Sequence, residues 1–260
     1  MIASLPFGRR ASRLIERNLL VYRRGWIIIF SGFFEPFFYL LGIGFGIGSL
    51  VGNVSLGAGY SVPYAVFVAP ALMAGTAMNG ALYDSTFNLF FKLRYAKTYD
   101  AVLATPLGVA DVALGEVTWA LMRGSLYSLG FLVVMAALGL VISPWALLAL
   151  PAATLIGFSS AAVGTVATTF MRKWQDFDLV IVVTLPLLLF SATFFPISVY
   201  PAPLQAFVQL TPLYHGVDLI RGLTTGNLGP GLLVDVGYLV LLGAFGLAIT
   251  SRRLQHLLLK

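Results

Sequence analysis

The chain has 260 residues, of which 59% are hydrophobic and only 10% charged, with a mean hydropathy of +0.92. A soluble domain carries roughly a quarter charged residues, so an ordinary water-soluble enzyme and a disordered chain are both excluded. Zero cysteines exclude disulfides, iron–sulfur clusters, haem-thiolate and Cys-zinc sites, and the net charge of +6 flanks apolar runs instead of forming a nucleic-acid patch.

In chain order, Ala11–Arg24 comes first, interleaving Leu14, Leu19, Val21 and Tyr22 with Arg13, Arg17, Arg23 and Arg24. The pattern suits an interfacial helix within residues 1–25, lying on a membrane surface; a plain basic flank is the alternative. Its basic region is too long for a cleaved signal peptide. Six apolar stretches follow: Trp26–Leu50, Pro63–Phe90, Gly115–Val141, Trp145–Phe170, Leu179–Phe195 and Gly231–Ile249. Each approaches the ~20 residues a helix needs to cross about 30 Å of hydrocarbon. The fifth is the shortest. The expected fold is an all-α membrane protein, one domain over 1–260, with a six-span bundle at 26–252 and a tail at 253–260.

With six spans, 14 of the 16 basic residues fall on one side. That bias places both termini in the cytoplasm of a multi-pass protein of the inner (plasma) membrane.

Among the charges within or near the spans are Glu35, Asp84, Glu116 and Arg123. Each costs roughly 2.5–3.5 kcal/mol at a helix centre unless it faces the bundle or finds a partner. Asp84 and Arg123 sit at similar depths on neighbouring antiparallel spans, about 10–12 Å in. An Asp84–Arg123 ion pair is therefore expected, with Glu116, two turns from Arg123, as the competing partner. Such a pair would serve as a helix-pairing clamp or as part of a proton or substrate relay. Glu35-Pro36 permits a kink. Beyond it Gly42, Gly44, Gly46 and Gly48 permit close helix approach, either within the chain or between subunits.

The connections differ in character. Val51–Val62 is a short, uncharged, Gly-rich external loop, and Ile142-Ser143-Pro144 a tight external turn. Pro196–Pro230 carries five prolines and the apolar patches Leu204–Leu210 and Leu213–Leu223, too apolar for water. It reads as re-entrant half-helices. Lys92–Asp111 is the most polar connection. Within it, Tyr99–Leu107 reads as a short helix that Pro106 stops. Its Val102, Leu103 and Leu107 suit a groove on another protein, or else pack on the chain's own interfacial helix.

Catalytic signals are lacking. There is no G-x-x-x-x-G-K-[ST], so no nucleotide site is expected in this chain. Gly157-Phe158-Ser159-Ser160-Ala161 lacks the last glycine of a serine nucleophile turn, and the two histidines, His215 and His256, belong to no cluster with metal-ligand spacing. No catalytic, cofactor or metal residue is assigned.

Several residues carry a resemblance. Tyr64–Phe67 with Ala69-Pro70, Met78-Asn79-Gly80, Tyr99–Leu107, Asp111 through Gly115-Glu116, and Trp119 resemble the permease subunits of type-2 ABC exporters. So do Glu35-Pro36 with Tyr39-Leu40 and Gly42–Gly48, and the stretch Ser191 through Phe194-Phe195-Pro196, Pro203, Gln205, Pro212-Leu213, His215, Asp218 and Arg221. The likeness is greatest to the nodulation-protein-J and daunorubicin-resistance branches and covers most of the chain. One departure is Ala192 in Ser191-Ala192-Thr193, where the family often has Ser-Gly.

The resemblance implies a permease that pairs with a second one, identical or homologous. It implies two copies of a separate ABC ATPase, which hold the ATP and Mg. Tyr99, Asp100, Val102, Leu103, Thr105, Pro106 and Leu107 would form the coupling helix, with Arg172, Lys173 and Asp176 as a smaller ATPase contact. Phe194, Phe195, Pro196, Pro212, His215 and Arg221 would belong to the outer gate. The cargo would be amphipathic or hydrophobic: a drug, a lipid or a lipid-linked saccharide. An alternative reading of the residues is a stand-alone ion-coupled carrier using Glu35, Asp84 or Glu116 as proton sites.

Overall fold

The computed structural model describes residues 11–23, 34, 37–57, 60–96 and 98–258. Glu35, Pro36 and the first half of the first expected span lie outside them. Among the described residues, four helices are long and apolar enough to cross a membrane: Tyr64–Leu93, Leu114–Ala137, Pro144–Phe170 and Gly231–Arg253.

In chain order the elements are α1 (Ala11–Arg23), α2 (Phe37–Val51), the strands β1 (Asn53–Gly57) and β2 (Tyr60–Pro63), and α3 (Tyr64–Leu93). Then come α4 (Thr98–Leu103), α5 (Val109–Ala137), α6 (Pro144–Phe170), α7 (Phe177–Phe190), α8 (Ala202–Gln209), α9 (Pro212–Thr225) and α10 (Gly231–Leu258).

Two readings change. The Gly-rich connection after α2 is a hairpin, with Val54 opposite Val62 and both side chains buried. The fifth apolar stretch is a helix for only 14 residues, about 21 Å at 1.5 Å per residue, short of a full crossing. It begins at Phe177 and ends at Phe190, where the chain breaks into bends through Ser191–Phe195. The first stretch contributes only α2, 37–51, among the described residues, with π-helical winding over Leu40–Ile47.

α3 is apolar on every face and is buried on nearly every face from Tyr64 to Ala81, as a helix without a polar stripe must be. Around it stand α2, α5, α6 and α9. α6 packs in turn against α3, α5, α9 and α10. Small residues permit this. A Cβ on Gly246 would lie 2.9 Å from Ala162 Cβ and 3.1 Å from the Ala162 carbonyl carbon, and one on Gly243 would run into the Phe158 ring. Apolar helices gain nothing by leaving lipid for one another, so close packing of this kind is what holds them together. On α2 the glycines divide: Gly44 and Gly48 face Val68, Ala65 and Tyr64 of α3, while Gly42 has nothing within 4 Å.

Replacing Gly246 with Leu should separate α10 from α6 and cost about 1–3 kcal/mol, the usual cost of overpacking. Thermal unfolding in detergent would read it, and an unchanged midpoint would contradict the packing described.

Candidate functional site

On the charged face, α1 presents Leu14 inward, where it meets Leu89 of α3 and Val112 of α5 in a small buried cluster. Leu93, Val102 and Leu107 pack against that cluster. Two of the three apolar residues expected to seek an external groove are therefore half-buried on the chain's own helices. α4 ends at Leu103, ahead of Pro106, and Thr105 Oγ1 donates 2.5 Å to the Val102 carbonyl, closing the turn. Ala101, Ala104, Thr105 and Pro106 remain exposed. The backbones of Tyr99, Asp100 and Leu103 lie in α4; their side chains are outside the described ones. The Gly108 N–H donates to Asp111 Oδ2 at 3.0 Å and caps α5, a terminus that would otherwise leave its N–H groups without partners.

The second charged turn follows α6. Asp176 Oδ2 accepts the backbone N–H groups of Arg172 at 2.7 Å and Lys173 at 3.0 Å. Those two bonds, with the neighbouring cations, hold its carboxyl below the usual carboxylate range. The Phe177 ring stacks on Phe87 with centroids 4.0 Å apart, and Trp174 meets both edge-on, fixing the turn against α3.

Deeper in, Arg123 Nη1 lies 2.9 Å from Asp84 Oδ1, joining α5 to α3 as the depth argument predicts. Glu116 does not compete. It is bound by Lys92, whose Nζ sits 2.6 and 2.9 Å from its two carboxylate oxygens. In the sequence Lys92 follows an apolar run and reads as one of its flanking cations. Its long stem reaches back to Glu116, so α3 and α5 share two ion pairs.

The opposite end is built around Arg221 of α9, which is buried. Its Nε donates to the Phe67 carbonyl at 3.1 Å and its Nη2 to the Ala192 carbonyl at 2.8 Å, while the guanidinium lies 3.9 Å over the Phe67 ring. One side chain thus ties α9 to α3 and to the bends after α7. Ala192 has φ 55°, the left-handed region that favours glycine. His215 Nδ1 is 2.7 Å from Asp235 Oδ1 of α10 and its ring stacks on Tyr238. Asp235 stands near the start of the last apolar stretch, with no neighbouring charge in the sequence to point to its partner. Pro212 starts α9 behind the Thr211 cap, Phe194 packs on the core, Phe195 is exposed, and Pro196 lines an open cavity of about 380 Å³ with Arg221 and Asp218.

Two outcomes are expected. In a cycle of Asp84→Leu, Arg123→Leu and the double variant, thermal unfolding should give a coupling of about 1–3 kcal/mol, because each single change strands a charge; additive effects would remove the clamp. Ala192→Gly should raise stability by about 1 kcal/mol by relieving a left-handed alanine, and a lower unfolding midpoint would contradict that.

Residues 10–224 match the family described as ABC-2 type transporter. The chain is 30% identical over 263 residues to nodulation protein J of Rhizobium leguminosarum bv. viciae, covering 98% of this chain and 99% of that one. It is 32% identical over 246 residues to nodulation protein J of Rhizobium leguminosarum bv. trifolii, with 92% of each covered. The protein of that name from Sinorhizobium fredii is 29% identical over 246 residues, 94% of this chain and 92% of its own. Apolar membrane-length helices, paired charges between them and this match over most of the chain lead to one conclusion: the chain belongs to the ABC-2 type transporter family, as a multi-pass membrane permease.

Proposed function

We propose that this permease works with two copies of an ABC ATPase and with a second permease, identical or homologous, to export an amphipathic or hydrophobic cargo. The ATPases hold the ATP and Mg; this chain supplies the path. It sits in the inner membrane with both termini cytoplasmic. α2 and α7, with the residues beside them, complete six spans. The reading is carried by the seat of α4, whose inward Val102 and Leu107 rest on Leu14, Leu89 and Val112. That seat leaves the outer side of the helix and the turn at Thr105-Pro106 open to a partner. A foot held this way passes a push on to α1, α3 and α5 without bending. Arg172, Lys173 and Asp176 give a second, smaller contact.

At the far end, α8, α9 and the bends through Phe194, Phe195 and Pro196 form the outer gate, with Pro212, His215 and Arg221 holding it to the bundle. Asp84 and Glu116, two proton sites an ion-coupled carrier would use, are each held by a cation. This favours the ATP-driven reading.

In vesicles carrying the whole complex, Leu103→Asp should leave ATP hydrolysis running while transport falls at least tenfold, with membrane insertion unchanged. Transport at the unaltered rate would remove α4 from the coupling path. Val102→Asp should instead lower the unfolding midpoint, since it buries a charge without a partner.

A further inference from the structure

Where α3, α6 and α7 end beside the 171–176 turn, they leave an open cavity of about 460 Å³. Its walls are Leu82, Val163, Ala167, Phe170, Leu179 and Val183. The two hydroxyls in it are occupied: Thr86 donates to the Leu82 carbonyl at 2.7 Å and Thr184 to the Ile181 carbonyl at 3.4 Å. Asp176 also lines the cavity, beside the turn, its Oδ2 accepting from the Arg172 and Lys173 N–H groups, so apart from that carboxylate the interior offers a ligand few hydrogen bonds. Val163, Phe170, Leu179 and Val183 are exposed along it, so it opens sideways as a groove.

The mouth is different. Beside the wall, Arg253 of α10 is fixed, its Nε donating to Thr169 Oγ1 at 3.0 Å and its guanidinium 3.7 Å over the ring of the wall residue Phe170. Arg172 and Lys173 follow Met171 directly, both exposed, and Arg252 precedes Arg253. Against these four cations stand Asp176 and Asp178, and the Asp176 carboxylate is already engaged by two backbone N–H groups. An apolar slot with a net positive rim has the complement of one kind of molecule.

We infer that this groove holds an acyl chain of an anionic phospholipid from the adjoining leaflet, its headgroup phosphate resting against Arg253, Arg172 and Lys173. Basic pockets between membrane helices recognise such headgroups, and long apolar chains are recognised by area, not by hydrogen bonds. The site rests on the chain's being a membrane protein and on neither the cargo nor the coupling foot.

The test uses the full chain, stripped of lipid in a neutral detergent and offered phosphatidylglycerol and phosphatidylcholine with matched acyl chains, with bound lipid counted by native mass spectrometry. Phosphatidylglycerol should be retained in preference. Val183→Trp and, on the facing wall, Val163→Trp should each displace both lipids; two wedges on different helices guard against one that misfolds. Arg253→Gln should keep the chain site but cut the preference about fivefold, the ~1 kcal/mol that one basic residue near an anionic headgroup contributes. The Arg172→Gln/Lys173→Gln pair should cut it further. Equal retention of the two lipids by the unaltered protein, or undiminished phosphatidylglycerol in both wedge variants, overturns the assignment. So does a disulfide between two copies through Val183→Cys in vesicles, readable because the chain has no other cysteine. Lipid retention in detergent is read without orientation, ATPase or transport, so a failure of the export scheme leaves this result standing.

Discussion

Hydrocarbon offers an ionised side chain no partner, so every charge carried into it must bring one. Asp84 and Arg123 meet at 2.9 Å, and Lys92 and Glu116 at 2.6 Å, both pairs joining α3 to α5. His215 and Asp235 meet at 2.7 Å between α9 and α10. In water such pairs contribute little, and in a protein interior their attraction barely repays the loss of hydration. Their value here is positional. Lipid tails are as apolar as leucine, so an apolar helix can rotate or slide against its neighbour at small cost. Two ion pairs along one interface allow a single register. Arg221 solves the same problem by another route, giving its donors to two carbonyls and its flat face to Phe67.

Small residues complete what the charges begin. Gly243 and Gly246 bring α10 against Phe158 and Ala162 of α6, and Gly164 of α6 lies against Ser85 of α3 beside the Asp84 pair. Helices that approach so closely leave room for few alternative packings. The outward side of the bundle is less constrained: α7 and α10 expose Leu179, Val182, Leu233 and Leu241 to whatever surrounds them.

Depth arithmetic was enough to find the Asp84–Arg123 pair, because two charges at equal depth on adjacent spans have nowhere else to go. It failed for Lys92, whose flexible stem carries its charge away from the level of its Cα. Asp235 is near the edge of its apolar run, where a charge looks solvated. The short fifth helix was hidden by composition: the apolar run continues through Phe190, yet Ala192 takes a left-handed turn that no hydropathy reveals. The hairpin after α2 was hidden by its glycines, which read as loop. Val102 and Leu107 show a different limit. Periodicity says that a residue wants burial and not whose surface will bury it, and here Leu14 of the chain's own first helix supplies part of that surface.

Leu89, under the foot formed by α4, and Phe67, whose carbonyl holds Arg221, belong to the same helix. They are separated by about 33 Å of α3 at the helical rise. Between them α3 is locked to α5 at Asp84, and just past Leu89 it is locked again at Lys92, so a displacement at the foot moves the two helices together. The π-helical turns at Asp84–Asn88 and Phe91–Tyr95 lie at the end of α3 nearest the foot and just past it, and turns of this kind are frequent at functional sites. Beyond them α3 is buried on nearly every face up to Phe67 and has no slack to absorb motion. The helix is therefore more loosely wound at the end nearest α4 and tightly packed on the way to Phe67.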